Sequence, residues 1–123
     1  LAIIDTNVVI EYLRGNAKIA NIVDSNLGGE GIGITTITRY ELLQRANKDQ
    51  SIISFLSEIN VYGFDKRASD KAAEIWHRLK AKGKVVDDLD LFIASIALSN
   101  GEKLITLDNG FRHIEGDIEI IKG

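Results

Sequence analysis

Leu1-Ala2-Ile3-Ile4-Asp5-Thr6-Asn7-Val8-Val9-Ile10 joins a short, wholly apolar run to an acid, then to a second stretch that reads as a helix. An uninterrupted apolar run containing β-branched isoleucines suits a strand buried on both faces, as strands of a parallel sheet are. The aspartate that follows is a favoured first residue for a helix, because its carboxylate can accept from the free N–H groups of the first turn. The segment is therefore read as strand, acid, helix.

The same alternation recurs along the chain. Strands are expected over residues 2–5, 31–35, 60–62, 103–107 and 118–121, and helices over 6–14, 17–25, 38–47, 51–59, 65–82 and 88–100. Gly15, Gly28-Gly29, Gly83 and Gly101 punctuate the joins, and proline is absent, so glycine is the main breaker. Strands alternating with helices predict an α/β fold, a parallel sheet covered on both faces. With 123 residues and neither repeats nor a long linker, one domain over 1–123 is expected.

Composition narrows the chemistry. Hydrophobic residues at 45% and charged residues at 27% are an ordinary globular balance. Cysteine is absent, which excludes disulfides, thiolate zinc sites, iron–sulfur clusters and a cysteine nucleophile. No apolar run approaches the ~20 residues of a membrane span, and no basic-then-apolar leader opens the chain, so a cytoplasmic location without a membrane partner is the expectation. Methionine is also absent, and the numbering is expected to start after the initiator. A net charge of -3 provides no global footprint for nucleic acid, so cations would have to be local or come from a metal.

Four acids draw attention. In open parallel sheets, ligands sit beyond the carboxyl ends of the strands. Asp5 ends the first apolar run, and Asp108 directly follows Lys103-Leu104-Ile105-Thr106-Leu107. Each has a structural alternative: Asp5 as a helix cap, and Asp108 with Asn109-Gly110 as a turn. Asp90 belongs to a cluster, Asp87-Asp88-Leu89-Asp90, that could cap a helix and meet its dipole. At about 100° per residue, Asp88 aligns with Ser95 and Ser99 on what reads as a solvated face. Asp90 aligns with Ala94, Ala97 and Gly101, a stripe of small residues that would pack on the sheet. An inward carboxylate there would need a partner, and a cation would serve. Glu41 fits a capping box, Thr38-Arg39-Tyr40-Glu41, reaching back to the Thr38 N–H. It shares a helix face with Gln44 and Arg45, opposite Leu42 and Ala46.

Gathered together, four carboxylates would suit a hard divalent cation such as Mg²⁺ or Mn²⁺. Without one they could not all ionise; with one or two, the site could activate water and stabilise a phosphoryl group. Rival chemistries lack their parts. His77, beside Trp76 on a long helix, and His113, in a loop, form a poor ribonuclease pair. No phosphate-cradling glycine loop follows a strand, and no Gly-x-Ser-x-Gly elbow is present. Asp5-Thr6-Asn7 lacks the second aspartate of a haloacid-dehalogenase-type enzyme.

These residues together resemble the PIN-domain nucleases, and among them the VapC-type toxins of toxin–antitoxin pairs. Ile3-Ile4-Asp5-Thr6-Asn7-Val8 is similar to the family's first signature. Ile34-Thr35-Thr36-Ile37-Thr38-Arg39-Tyr40-Glu41-Leu42 is similar to the second, with Glu41 as the acid. Asp88-Leu89-Asp90-Leu91-Phe92-Ile93-Ala94 resembles the third, with Asp90 in the acid position. Leu104-Ile105-Thr106-Leu107-Asp108, continuing through Phe111-Arg112-His113-Ile114, resembles the fourth. Leu107 stands where many relatives have Arg, and Gly110 where many have Asp.

The resemblance implies a three-layer α/β/α sandwich with a central, mainly parallel sheet, and Mg²⁺ or Mn²⁺ dependence. It further implies an RNA substrate, a homodimer and an antitoxin partner that folds over the site. Asp5 and Asp90 would be the principal metal ligands and Glu41 and Asp108 would complete the acidic set. Thr6, Asn7 and Thr106 would be supporting polar groups. A stand-alone PIN nuclease in RNA processing, or a non-catalytic PIN-like binding module, are the alternatives.

Overall fold

Every apolar run forms a strand where one is expected. The computed structural model describes residues 2–26, 31–46 and 49–122. In chain order the elements are β1 (Ala2–Ile4), α1 (Thr6–Leu13), α2 (Ala17–Asn26), β2 (Ile32–Thr35), α3 (Thr36–Ala46) and α4 (Gln50–Glu58). There follow β3 (Asn60–Tyr62), α5 (Lys66–Ala81), α6 (Asp88–Ser99), β4 (Lys103–Thr106), a 3₁₀ turn (Asn109–His113) and β5 (Ile118–Ile120). The Gly28-Gly29 join and the expected end of the third helix at Asn47 lie outside the described residues.

The strands lie in the order β3-β2-β1-β4-β5, and every neighbouring pair is parallel. Successive side chains of a strand face opposite sides, and the register carries that alternation across the sheet. Ile4 pairs with Ile105, and both pack on the side covered by α1 to α4, among Val8, Val9, Ile19, Val23, Leu42 and Leu56. Ile3 pairs with Leu104, and both face the other layer, among Ile75, Leu79, Ile93 and Ala97 of α5 and α6. The result is a three-layer α/β/α sandwich with β1 at its centre. Ile3 and Ile4 are almost wholly buried, and each such side chain contributes about 1.5–3 kcal/mol to folding.

The topology also opens the site. From β1 the chain moves outward through β2 to β3, then returns to place β4 on the other side of β1. The direction of winding therefore reverses between β1 and β4, and loops leaving their carboxyl ends diverge to opposite faces, leaving a crevice. Asp5 follows β1 directly, and Asp108 lies two residues past β4.

Some local expectations need correction. The third helix begins at Thr36, not Thr38, because the Thr35 hydroxyl accepts from the Thr38 N–H at 3.0 Å and starts the helix earlier. The Asp88 face of α6 is not solvated throughout. Ser95 is fully buried and satisfies its hydroxyl by donating to the Leu91 carbonyl at 2.6 Å. The stretch after Asp108 is a 3₁₀ turn rather than an irregular loop, with Phe111 buried beneath it. Gly83 and Gly101 stand just past α5 and α6 with φ of +67°, where a side chain would be strained. Among the described residues no helix is long and apolar enough to cross a membrane.

Candidate active site

Asp5 has both of the roles open to it. Its Oδ1 accepts from the Thr6 N–H at 2.7 Å, capping α1, and its Oδ2 accepts from the Thr106 hydroxyl at 2.8 Å. The same Thr106 oxygen accepts from the Asp108 N–H at 3.0 Å. One buried hydroxyl thus ties the carboxyl end of β1 to that of β4. Asp108 in turn starts the 3₁₀ turn, its Oδ1 accepting from the Gly110 N–H at 2.7 Å. A Cβ at residue 110 would stand 3.1 Å from that same oxygen, so the missing side chain keeps the carboxylate uncrowded.

Glu41 is not held as a capping box. Thr35 already serves the Thr38 N–H, and Glu41 Oε1 accepts from the Thr6 hydroxyl at 2.7 Å. The Thr6 and Thr38 hydroxyls are 3.0 Å apart, and a hydroxyl has a single proton. With Thr6 donating to Glu41, the consistent arrangement is Thr38 donating to Thr6. Thr38 is fully buried, so α3 delivers Glu41 to the crevice on a fixed relay.

The acids of the Asp87–Asp90 cluster divide their work. Asp87 caps α6, its Oδ2 accepting from the Leu89 N–H at 3.1 Å. Asp88 is exposed and lines a separate cavity with Phe64, Trp76 and Phe92. Asp90 is half-buried at the crevice. Burial, then the charges of Asp5, Asp108, Asp87 and Glu41, push its carboxyl up to about 7. Burial likewise raises Asp5; its bonds from Thr106 and Thr6 pull the other way, and the charges of Glu41 and Asp108 raise it further. Four acids from four separate segments therefore lie within electrostatic reach of one another.

Among the described residues no three acids or histidines stand close enough to make a ready-formed cation cage. The donor set is all oxygen, which suits Mg²⁺ or Mn²⁺. Mg²⁺ takes only one or two carboxylates directly and keeps several waters, so a full cage is not required.

Asn7 is exposed and, with Leu107, lines a surface cavity beside the crevice, apart from the hydrogen-bonded acids. The two histidines are not brought together. His77 is exposed beside Trp76, whereas His113 lines a different cavity with Arg78 and Lys82. In the sequence Thr35 is missed, and Thr38 is given only the role of a cap. The signal available was the threonine-rich run Thr35-Thr36-Ile37-Thr38 at a strand end, unusual in a segment about to be buried.

Known proteins share this frame. Ribonuclease VapC3 of Methanocaldococcus jannaschii is 38% identical over 96 residues, 77% of this chain and 96% of its own length. The structure of VapBC2 from Rickettsia felis, bound to a DNA fragment from its promoter, superposes with a TM-score of 0.81 at 20% identity, covering 98% of this chain and 96% of that one. VapBC-1 from nontypeable Haemophilus influenzae superposes with a TM-score of 0.80 at 26% identity, over 98% and 96% of the two chains. The PIN domain model matches residues 2–117, a span that contains all four acids of the crevice, and the chain belongs to the PIN-domain family.

Proposed function

We propose that this chain is a metal-dependent endoribonuclease acting as the toxin of a toxin–antitoxin pair. The observation that carries the reading is that Asp5, Glu41, Asp90 and Asp108 lie within electrostatic reach of one another at the β1–β4 switch point, with Asp90 raised to about 7 by burial and by its acidic neighbours. Such a site is costly for the apoprotein and profitable once a divalent cation is bound. The kinship to a ribonuclease supports RNA as the polymer cut.

In this reading Asp5 and Asp90 hold Mg²⁺ or Mn²⁺. When bound, the cation offsets charge developing on the phosphoryl group and makes attacking water more acidic. Thr106 fixes the orientation of Asp5 and aligns the Asp108 backbone. Thr6, itself fixed by Thr38, aims Glu41, so Glu41 and Asp108 complete the acidic set and orient the water that attacks phosphorus. Asn7, exposed two residues past Asp5, would be a supporting polar group.

The chain acts as a single nuclease domain. Structural relatives solved as VapBC assemblies support an antitoxin partner; a homodimer and a cytoplasmic setting complete the proposal, the latter consistent with the lack of cysteine. The test is cleavage of single-stranded RNA with Mg²⁺ or Mn²⁺ and with EDTA. Cleavage should need the cation and be lost in Asp90→Asn. Full cleavage in EDTA that disappears in a His77/His113 double variant would overturn the proposal.

A further inference from the structure

The chain is acidic overall, yet cations gather at one edge of the crevice. A surface cavity of about 470 Å³ opens there. Its position is set by Asn7, two residues from Asp5, and by Leu107, which separates Thr106 from Asp108. Arg14 from the end of α1, Lys18 from α2 and Arg45 from the last turn of α3 line it, and all three are exposed. Among the described residues of the lining the single carboxylate, Glu11, is engaged by Arg14 at 3.1 Å. Lys18 Nζ donates to the Lys122 carbonyl, which uses one of its three protons and leaves its charge in place. Ile10 and Ile19 provide an apolar floor.

This juxtaposition answers an electrostatic difficulty of the nuclease site. A polyanion approaching four carboxylates is repelled, and a cation at the scissile phosphate helps only that phosphate. The neighbouring phosphates need their own counter-charges close by. Arg and Lys supply them, and an apolar floor suits the faces of unstacked bases or riboses.

We propose that the Arg14–Lys18–Arg45 cavity binds the phosphodiester backbone of single-stranded RNA next to the bond being cut. The proposal rests on the nuclease reading. An acidic protein segment is the competing occupant, but Asn7 and Leu107, close chain neighbours of Asp5 and Asp108, set the cavity beside the crevice that an RNA strand must also enter.

The test is fluorescence anisotropy with a labelled oligouridylate in EDTA, titrated with salt, for the wild type and for Arg14→Gln/Lys18→Gln/Arg45→Gln. Each phosphate contact on a single strand contributes about 0.7 to the slope of log K against log salt, so the triple variant should lose about 2 from that slope and about a hundredfold or more in affinity at about 50 mM salt. Glu11→Gln removes the cavity's carboxylate and should tighten binding severalfold, a gain that misfolding could not mimic. Lys66→Gln, on exposed α5, should leave the affinity unchanged. In cation-supported cleavage of a long RNA the loss should fall on KM. A triple variant with wild-type slope and affinity, while the wild type still cleaves RNA, overturns the cavity and leaves the nuclease reading intact. A wild type that neither binds nor cuts RNA overturns both. Normal RNA binding together with lost binding of polyglutamate would mark a protein site and also refute the proposal.

Discussion

Neutralising Asp90 should make the cation-free protein more stable, by an amount that changes with pH. Its carboxyl stands at about 7 in the folded chain against 3.8 when unperturbed. At 1.36 kcal/mol per unit, the ceiling is about 4 kcal/mol. Asp90 is only half-buried, and solvent screening reduces this to about 1–2 kcal/mol, a range that also absorbs its favourable position in the first turn of α6. For a chain of this length, that is a rise in Tm of about 5 °C. Because the folded value is raised, the proton stabilises the fold fully below about pH 4, and that stability is lost as pH climbs through about 7. Asn cannot ionise, so Asp90→Asn and the wild type should melt alike near pH 4, diverge between about 4 and 7, and keep a constant gap above. Melting curves in EDTA across this range, at fixed ionic strength, provide the measurement. A gap that is independent of pH, or a variant that melts lower at about pH 8, would refute the electrostatic account.

Other substitutions separate the roles. Asp88→Asn should keep RNA cleavage within about twofold, while Asp90→Asn should lose about a hundredfold or more, as expected for a ligand and not for an exposed acid lining another cavity. Thr106→Val removes the donor to Asp5 and the acceptor for the Asp108 N–H; a cost of about 1–3 kcal/mol in urea unfolding and a loss of about tenfold or more in kcat should follow, with Thr106→Ser restoring both. Asp5→Asn keeps a capping oxygen and removes a repelling charge, so it should melt higher than the wild type in EDTA, yet lose both cleavage and the rise in Tm that Mn²⁺ gives the wild type. An unchanged response to Mn²⁺ would remove Asp5 from the site.

The central strands β1 and β4 were legible because each holds a short apolar run, and burial on both faces leaves few other readings for Ile3-Ile4 or Leu104-Ile105. Their order was not legible. Nothing local to Lys103–Thr106 says that β4 returns beside β1, and that pairing alone makes Asp5 and Asp108 neighbours. Glu41 shows the limit most clearly. Thr38-Arg39-Tyr40-Glu41 satisfies a local capping pattern, but Thr35 takes that duty one turn earlier. Glu41 is then free to meet Thr6, 35 residues away in sequence. Ser95 failed for a related reason: a wheel assumes that a polar residue marks water, whereas a serine can bond its own helix and be buried. The stripe below Asp90 does pack into the core through Ala94 and Ala97, because alanines mark close packing whatever lies opposite.

The hydroxyl of Thr106 meets the carboxylate of Asp5 across 101 residues of chain. A ribosome adding about 5–20 residues per second spends roughly 5–20 s between the two. Once Thr35 has been added, β1 has its β2 neighbour available on one side and an open edge on the other, where β4 will pair. No half of the crevice can work early: Asp90 lies 85 positions after Asp5, and Asp108 comes later still. On the proposed function, a chain that cuts RNA is made on a machine built from RNA, reading an RNA message. Here the order of the strands delays assembly of the acidic site until β4 has been made.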